Sequence, residues 1–208
     1  MSDKRDLFAP RSAEDVKRLV AAQPLAWIVS GGGNAGFNAT LLPLRPLEED
    51  GKLLGFMGHF ARGNAHLAAL RADPRALILF LGVNGYISPS WMADRTQAPT
   101  WNYASAQFAA EIEFFEDPAE IRAHLDDLVG AMEAGRERAW SIPEMGARYE
   151  MLASRIVGFR ARIKDARARF KLGQDERPDV LADILKGLDA GGDTELAAWM
   201  RDFNPGRA

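Results

Sequence analysis

Arg62-Gly63-Asn64 is the stretch of this chain best equipped to meet an anion. It follows an apolar run that ends at Phe60 and precedes a segment, from about 65 to 71, with Leu67 and Leu70 at helical spacing. A helix start offers unpaired backbone N–H groups and the positive end of the dipole. Gly63 lets a backbone approach a phosphate, Arg62 can grip one bidentately, and Asn64 suits a cap. Taken alone, the same residues describe an ordinary capped helix beside a solvated Arg, which is the plainer reading. His59, two residues before Ala61, adds an imidazole that could face a ligand's polar edge, although a lone His is more often structural.

A second candidate occupies residues 86–103. YISPSWM (86–92), a short polar linker and PTWNY (99–103) gather Trp, Tyr, Ser, Thr and Asn around Pro89 and Pro99. The segment is too polar for a core strand and too aromatic for a solvated loop. The prolines fix φ and push Ser88 and Ala98 toward extended conformations, so the side chains are aimed in advance. Such a surface suits a flat ligand; aromatics that plug a barrel end would look the same.

A third is Lys171-Leu172-Gly173-Gln174, preceded by Arg155, Arg160, Arg162, Lys164, Arg167 and Arg169. On a strand these put several cations on one face, a pattern that serves phosphates, nucleic acid or simply a protected edge. The structural reading takes the larger share. Glu111, Glu113 and Glu116 read as a solvated strand face. Nothing locates a partner that would turn Ser88 or Ser90 into a nucleophile, so no catalytic residue is assigned and enzymatic activity is left open. The glycine run at 31–36 lacks the Gly-Lys-Ser/Thr of a phosphate loop and reads as a hairpin tip.

The elements that must position these residues follow from periodicity. Ser12 and Asp15 open a short amphipathic helix that stops at Gln23-Pro24. Strands are expected at 25–30 and 37–44, joined by the glycine turn, and at 53–60. Pro43 and Pro46 end the second, and 48–51 turn the chain. The helix near 65–71 leads to an apolar strand, 76–81, and 104–115 alternates as a strand. Asp117-Pro118 starts a helix with Ile121, Leu125, Leu128 and Met132 on one face. Residues 140–143 break the chain, 144–154 form a helix, and 156–170 form a long strand or hairpin whose apolar phase flips. Two helices, 180–188 and 194–203, complete the chain. Six or seven strands joined mostly by hairpins argue against a doubly wound parallel sheet and for a small antiparallel barrel with peripheral helices.

Composition narrows the field. The 208 residues are 47% hydrophobic, enough for a real core, and the net charge of −3 draws the chain to neither nucleic acid nor an anionic membrane. There is no cysteine, and His59, His66 and His124 lack ligand spacing, so neither a disulfide nor a structural metal is expected. The N-terminus has no apolar signal region and no window is apolar enough to span a membrane, which reads as cytoplasmic. The acidic C-terminal helix pair is a poor DNA reader.

The motifs GHFARGN (58–64), YISPSWM (86–92), PTWNYASAQ (99–107), IVGFRARI (156–163) and ARFKLGQ (168–174) together resemble the PaiB family, bacterial proteins described as FMN-binding negative transcriptional regulators. The resemblance runs from the first helix to about Pro178 and implies a mainly β, α+β fold with peripheral helices: an antiparallel split β-barrel of the FMN-binding type. That extent gives a barrel domain over 1–177, the last two helices read as an appendage at 178–208, and the resemblance implies a homodimer holding FMN at its interface. The turn of His59, Phe60, Ala61, Arg62 and Asn64 would hold the FMN phosphate, and Asn38, Ala39, Thr40 and Leu41 would lie along the isoalloxazine. Tyr86, Ser88, Trp91, Thr100, Trp101, Asn102, Lys171 and Gln174 match family motifs and are carried as cofactor contacts. The chain departs from the pattern at ARGN, where Ala-Asn-Pro is expected after the Arg. The implied function is an FMN-binding regulator acting indirectly or as a flavin-dependent sensor, without direct specific DNA binding. Its alternatives are a flavin-dependent oxidoreductase and a cofactor-free interaction module.

Overall fold

A computed structural model describes residues 6–31 and 36–207. The centre of the expected glycine turn, 32–35, lies outside the described residues. Seven strands form one open antiparallel sheet in the order β2-β1-β5-β6-β7-β4-β3, with helices around it. In chain order these are α1 (Ala13–Ala22), β1 (Leu25–Gly31), β2 (Phe37–Pro43), β3 (Arg45–Glu49), β4 (Lys52–Ala61), α2 (His66–Ala72) and β5 (Arg75–Ile87). Then come β6 (Thr100–Phe115), α3 (Pro118–Glu133), α4 (Arg148–Ala153), β7 (Ile156–Lys171), α5 (Pro178–Gly191) and α6 (Thr194–Phe203). Short 3-10 turns stand at Pro89–Trp91 and Ile142–Met145.

The chain divides into two compact units. The first comprises Met1–Ala22, Leu81–Ala106 and Arg167–Ala208; the second comprises Gln23–Phe80 and Gln107–Ala166.

The second unit carries most of the ladder. β1 pairs β2 from Leu25↔Pro43 to Gly31↔Phe37, and β4 pairs β7 from Gly55↔Arg162 to Ala61↔Ile156. Its core is aromatic: Phe56 lies 5.1 Å from Phe80 and 4.9 Å from Phe108, and Phe60 lies 5.1 Å from Phe159. Gly158 is required here, because a Cβ on it would sit 2.2 Å from the Phe115 ring. α3 starts where Asp117 accepts hydrogen bonds from Ala119 N and Glu120 N at 2.9 and 3.0 Å, with Pro118 in the first turn. Its buried face is Ile121, His124 and Leu128. The expected stripe is corrected: Met132 is exposed and His124 takes a buried place instead.

The other face of β2 and β1 is apolar and uncovered. Trp27 stands opposite both Leu41 and Leu79, and Val29 opposite both Ala39 and Leu77. Phe37 is 80% exposed and Trp27 48%.

The first unit is built around its helices. α5 and α6 bury Leu181, Ile184, Leu188, Leu196, Trp199 and Met200. Gly192, left-handed at φ 85°, ends α5 by donating to Leu188 O and Asp189 O. Phe170 stacks on Phe203 at 5.3 Å, and the Arg11 and Arg18 guanidinium groups each lie 3.8 Å from an aromatic ring, of Phe203 and Trp199 respectively. Asp202 ties both Arg side chains together. Within this unit α5 and α6 share their apolar faces with Phe170 and the 3-10 turn at Trp91.

Candidate functional site

The second unit presents three groups of interest. At the turn after β4, the Arg62 guanidinium donates from Nη1 to Glu116 at 2.6 Å, from Nε to Ser154 O at 3.1 Å and from Nη2 to Ile156 O at 3.1 Å. Arg71 Nη2 donates to the other oxygen of Glu116 at 2.7 Å. Two cations thus share one carboxylate, and the Arg62 hydrogen bond holds Glu116 below the usual carboxylate range. Arg62 also lines a cavity of about 390 Å³ together with Glu116, Arg122, Tyr149, Ser154 and Ile156.

The expected helix-start anion site does not have its free donors. α2 is seven residues long; His66 N donates to the Asn64 side chain at 2.9 Å, and Leu67 N and Ala68 N donate to Asn64 O and Ala65 O at 3.1 and 3.3 Å. Asn64 consumes the start of the helix instead of leaving it open.

The second group surrounds His66, which is 3% exposed. Its Nε2 lies 2.8 Å from Ser30 Oγ on β1, and its Nδ1 lies 2.9 Å from Thr40 Oγ1 on β2. Asn64 Nδ2 donates to the same Thr40 oxygen at 3.4 Å. Burial lowers the His66 pKa, so the ring is held neutral. Asn38 and Thr40 are half-buried; Ala39 and Leu41 belong to the exposed apolar face.

His59 Nδ1 meets His124 Nε2 at 3.0 Å. Burial, then the nearby His59, lowers His124 to about 4, and its buried Nδ1 has no partner among the described residues. Burial also lowers His59. Phe60 is wholly buried and serves the aromatic core, while Ala61 is exposed.

In the first unit, Tyr86 at the end of β5 and Trp101 at the start of β6 meet edge to face at 6.0 Å, both largely exposed. Lys171 Nζ donates to Thr100 Oγ1 at 2.5 Å. Ser88 and Gln174 spend polar atoms on neighbours, whereas the buried Asn102 Oδ1 has no partner among the described residues. Ser88 Oγ accepts from Ser90 N at 3.2 Å, and Gln174 braces its own turn through Leu172 N and Phe170 O at 2.7 and 2.6 Å. Asn102 is 1% exposed, and the Trp91 ring lies where a Cβ on Gly187 would stand, 2.4 Å away. The segment read as one aromatic loop is therefore split between two strand ends and a turn.

The sequence reading missed the roles of His66 and His124. Ser30 and Thr40 on neighbouring strands, with Asn64-Ala65-His66 at a helix start, are the only sequence trace of the His66 cluster. His124 occupies an apolar-stripe position at helical spacing from Ile121 and Leu128, which was its signal.

Comparison with known proteins adds three findings. Residues 4–165 match the family model described as "Putative FMN-binding domain". A relative in Bacillus subtilis, "Protease synthase and sporulation protein PAI 2", is 28% identical over 87% of this chain and 86% of its own length. Among solved structures, a conserved hypothetical protein of Mycobacterium tuberculosis superposes with a TM-score of 0.59 at 14% identity, covering 81% of this chain and 90% of its own. An FAD- and heme-binding protein of Mycobacterium smegmatis gives 0.57 at 17% identity, covering 78% and 72%. These likenesses establish the split-barrel fold.

Proposed function

The chain belongs to the FMN-binding family of the PaiB type, and from that premise we propose that it binds FMN as a homodimer and influences transcription indirectly, as a flavin-dependent sensor or through a partner. The family match over 4–165 is the observation that carries this reading. A bound flavin would supply redox chemistry of its own.

The residues of the second unit fit a phosphate monoester. Arg has five N–H donors, and Arg62 commits three of them to Glu116, Ser154 and Ile156. Two donors remain beside a cavity of about 390 Å³, within the size range of ligand pockets; Arg71 shares Glu116 with Arg62, and Glu150 also lines the cavity. In the first unit the proposed flavin contacts narrow to Tyr86, Trp101, Thr100 and Lys171, which keep surface to offer. Dimerisation is supported by the uncovered strip of Trp27, Phe37, Leu41 and Leu77, more apolar surface than a soluble monomer usually leaves in one place.

Indirect action is supported by the charge pairing on β7. Arg160, Arg162 and Lys164 are bonded to Glu120, Glu113 and Glu111 at 2.9, 3.0 and 2.8 Å, so the strand offers DNA phosphates little uncompensated charge. The test is the absorption spectrum of the purified protein with and without added FMN. A flavin band that co-elutes with protein is expected, and its absence after reconstitution would refute the reading. Steady-state NAD(P)H oxidation by the loaded protein would favour an oxidoreductase over a sensor. Light scattering that gives one chain mass at micromolar concentration would overturn the dimer.

A further inference from the structure

The hydrogen bonds around His66 leave one donor unspent. His66 N is a backbone donor, so the Asn64 atom 2.9 Å from it is the amide oxygen. The other Asn64 atom is then the NH₂ group, which can only donate, and Thr40 Oγ1 accepts it. Two tautomers of the ring remain. If Nε2 carried the proton, it would donate to Ser30 Oγ, and the Ser30 O–H would need another acceptor. Ser30 is 6% exposed and has no partner other than His66 among the described residues. A buried donor left without an acceptor keeps the full cost of its desolvation, which disfavours that arrangement. With the proton on Nδ1, Ser30 donates to Nε2, Nδ1 donates to Thr40, and every buried donor of the cluster is satisfied.

Thr40 Oγ1 then accepts twice, from His66 and from Asn64, and its own O–H has no acceptor among the described residues. Thr40 is half-buried on β2, the strand at one end of the sheet, two residues from Asn38, whose side chain is also unbonded among the described residues. We propose that His66 is a positioning residue that fixes the Thr40 hydroxyl as a donor to a ring acceptor of the bound flavin. This rests on the flavin-binding reading above. The set Ser30, Asn38, Thr40, Asn64 and His66 carries no cation, and a neutral donor beside an amide suits the carbonyl and N–H edge of a flavin ring better than a phosphate.

Imidazole ¹⁵N shifts of the flavin-free protein test the tautomer without any variant, and Nδ1–H with an unprotonated Nε2 is expected. Titration of FMN and riboflavin then tests the donor. Thr40→Val should weaken both ligands alike, about 3- to 10-fold, the usual worth of one neutral hydrogen bond, and Thr40→Ser should restore them. His66→Gln should weaken flavin several-fold in the native background and no further in the Thr40→Val background; a merely structural histidine would weaken binding equally in both. An Nε2–H tautomer, additive losses, or a Thr40→Val protein with unchanged affinity overturns the assignment while flavin binding stands. A wild-type protein that binds neither FMN nor riboflavin overturns both.

Discussion

Two groups of cations in the same unit are arranged in opposite ways. At the turn after β4, Arg62 and Arg71 converge on the single carboxylate of Glu116. Along β7, Arg160, Arg162 and Lys164 each have their own carboxylate. The strand row looks the more basic in the sequence, yet it is balanced one to one, and the turn holds the surplus. A concentration of Arg and Lys therefore predicts anion binding only after its acidic neighbours are counted in space. Glu111, Glu113 and Glu116 read as one solvated face, but two of them quench β7 and the third is shared between Arg62 and Arg71.

The largest expected effect tests the surplus directly. Arg62→Ala should weaken FMN by about 1.5 to 3 kcal/mol, the range for a hydrogen bond to a charged group, and leave riboflavin nearly unchanged. Because Arg62 also holds Ser154 O and Ile156 O, thermal unfolding should be followed in parallel. Equal losses for both ligands would mean that Arg62 supports the fold and not the phosphate.

The next effect is on pH. A phosphate monoester gains its second charge near pH 6. Glu116 is held below the usual carboxylate range by Arg62, so it is already ionised throughout pH 5 to 8 and adds no slope of its own. The affinity ratio of FMN to riboflavin should therefore rise with pH across this window, by roughly 1 kcal/mol if the cluster sees the second charge. A flat ratio, or one that falls, would place the phosphate elsewhere. A smaller gain is expected from Glu116→Gln, which removes the carboxylate that competes for both Arg residues. FMN affinity should rise by up to about 1 kcal/mol while riboflavin stays level, and stability should fall by less than about 1 kcal/mol because the pairs are exposed. A loss of FMN affinity would show that Glu116 is needed to orient Arg62.

How much of this was legible depended on which atoms carried the signal. The β1–β2 hairpin was readable because an apolar run, a glycine stretch and a second run with alternating apolar residues follow one another, although the apolar residues of β2 at 37, 39 and 41 lie on the uncovered face. β3 was not, since Pro46 argues against a strand; it is tolerated opposite Phe56 because β3 ends the sheet, where a missing N–H breaks no second ladder. Thr100 and Trp101 read as loop because of their composition, although they open the long β6 strand. At the site, Arg62 could be picked out as a cation next to a glycine, but two of its three acceptors are backbone carbonyls some ninety residues away, at 154 and 156, and a carbonyl has no sequence signature. Ser30 and His66 escaped for a similar reason: 36 residues separate them, and only the sheet brings them together.

The smallest expected effect lies on β7. Arg162→Gln with Lys164→Gln spares Arg160, whose guanidinium packs 4.5 Å from the Phe115 ring and whose loss would mix packing with charge. Arg162 and Lys164 are more than half exposed, as are their partners Glu113 and Glu111, so the double variant should change stability by less than about 1 kcal/mol. A protein that grips duplex DNA must neutralise several phosphates, and cations already paired with carboxylates would have to break those pairs first. No sequence-specific gel shift is therefore expected from the native protein at roughly 150 mM salt, and the variant should alter only weak binding that appears at lower salt. Specific binding tighter than about 10⁻⁷ M that disappears in the variant would reverse the comparison, making the strand the functional surface and the Arg62 turn its support.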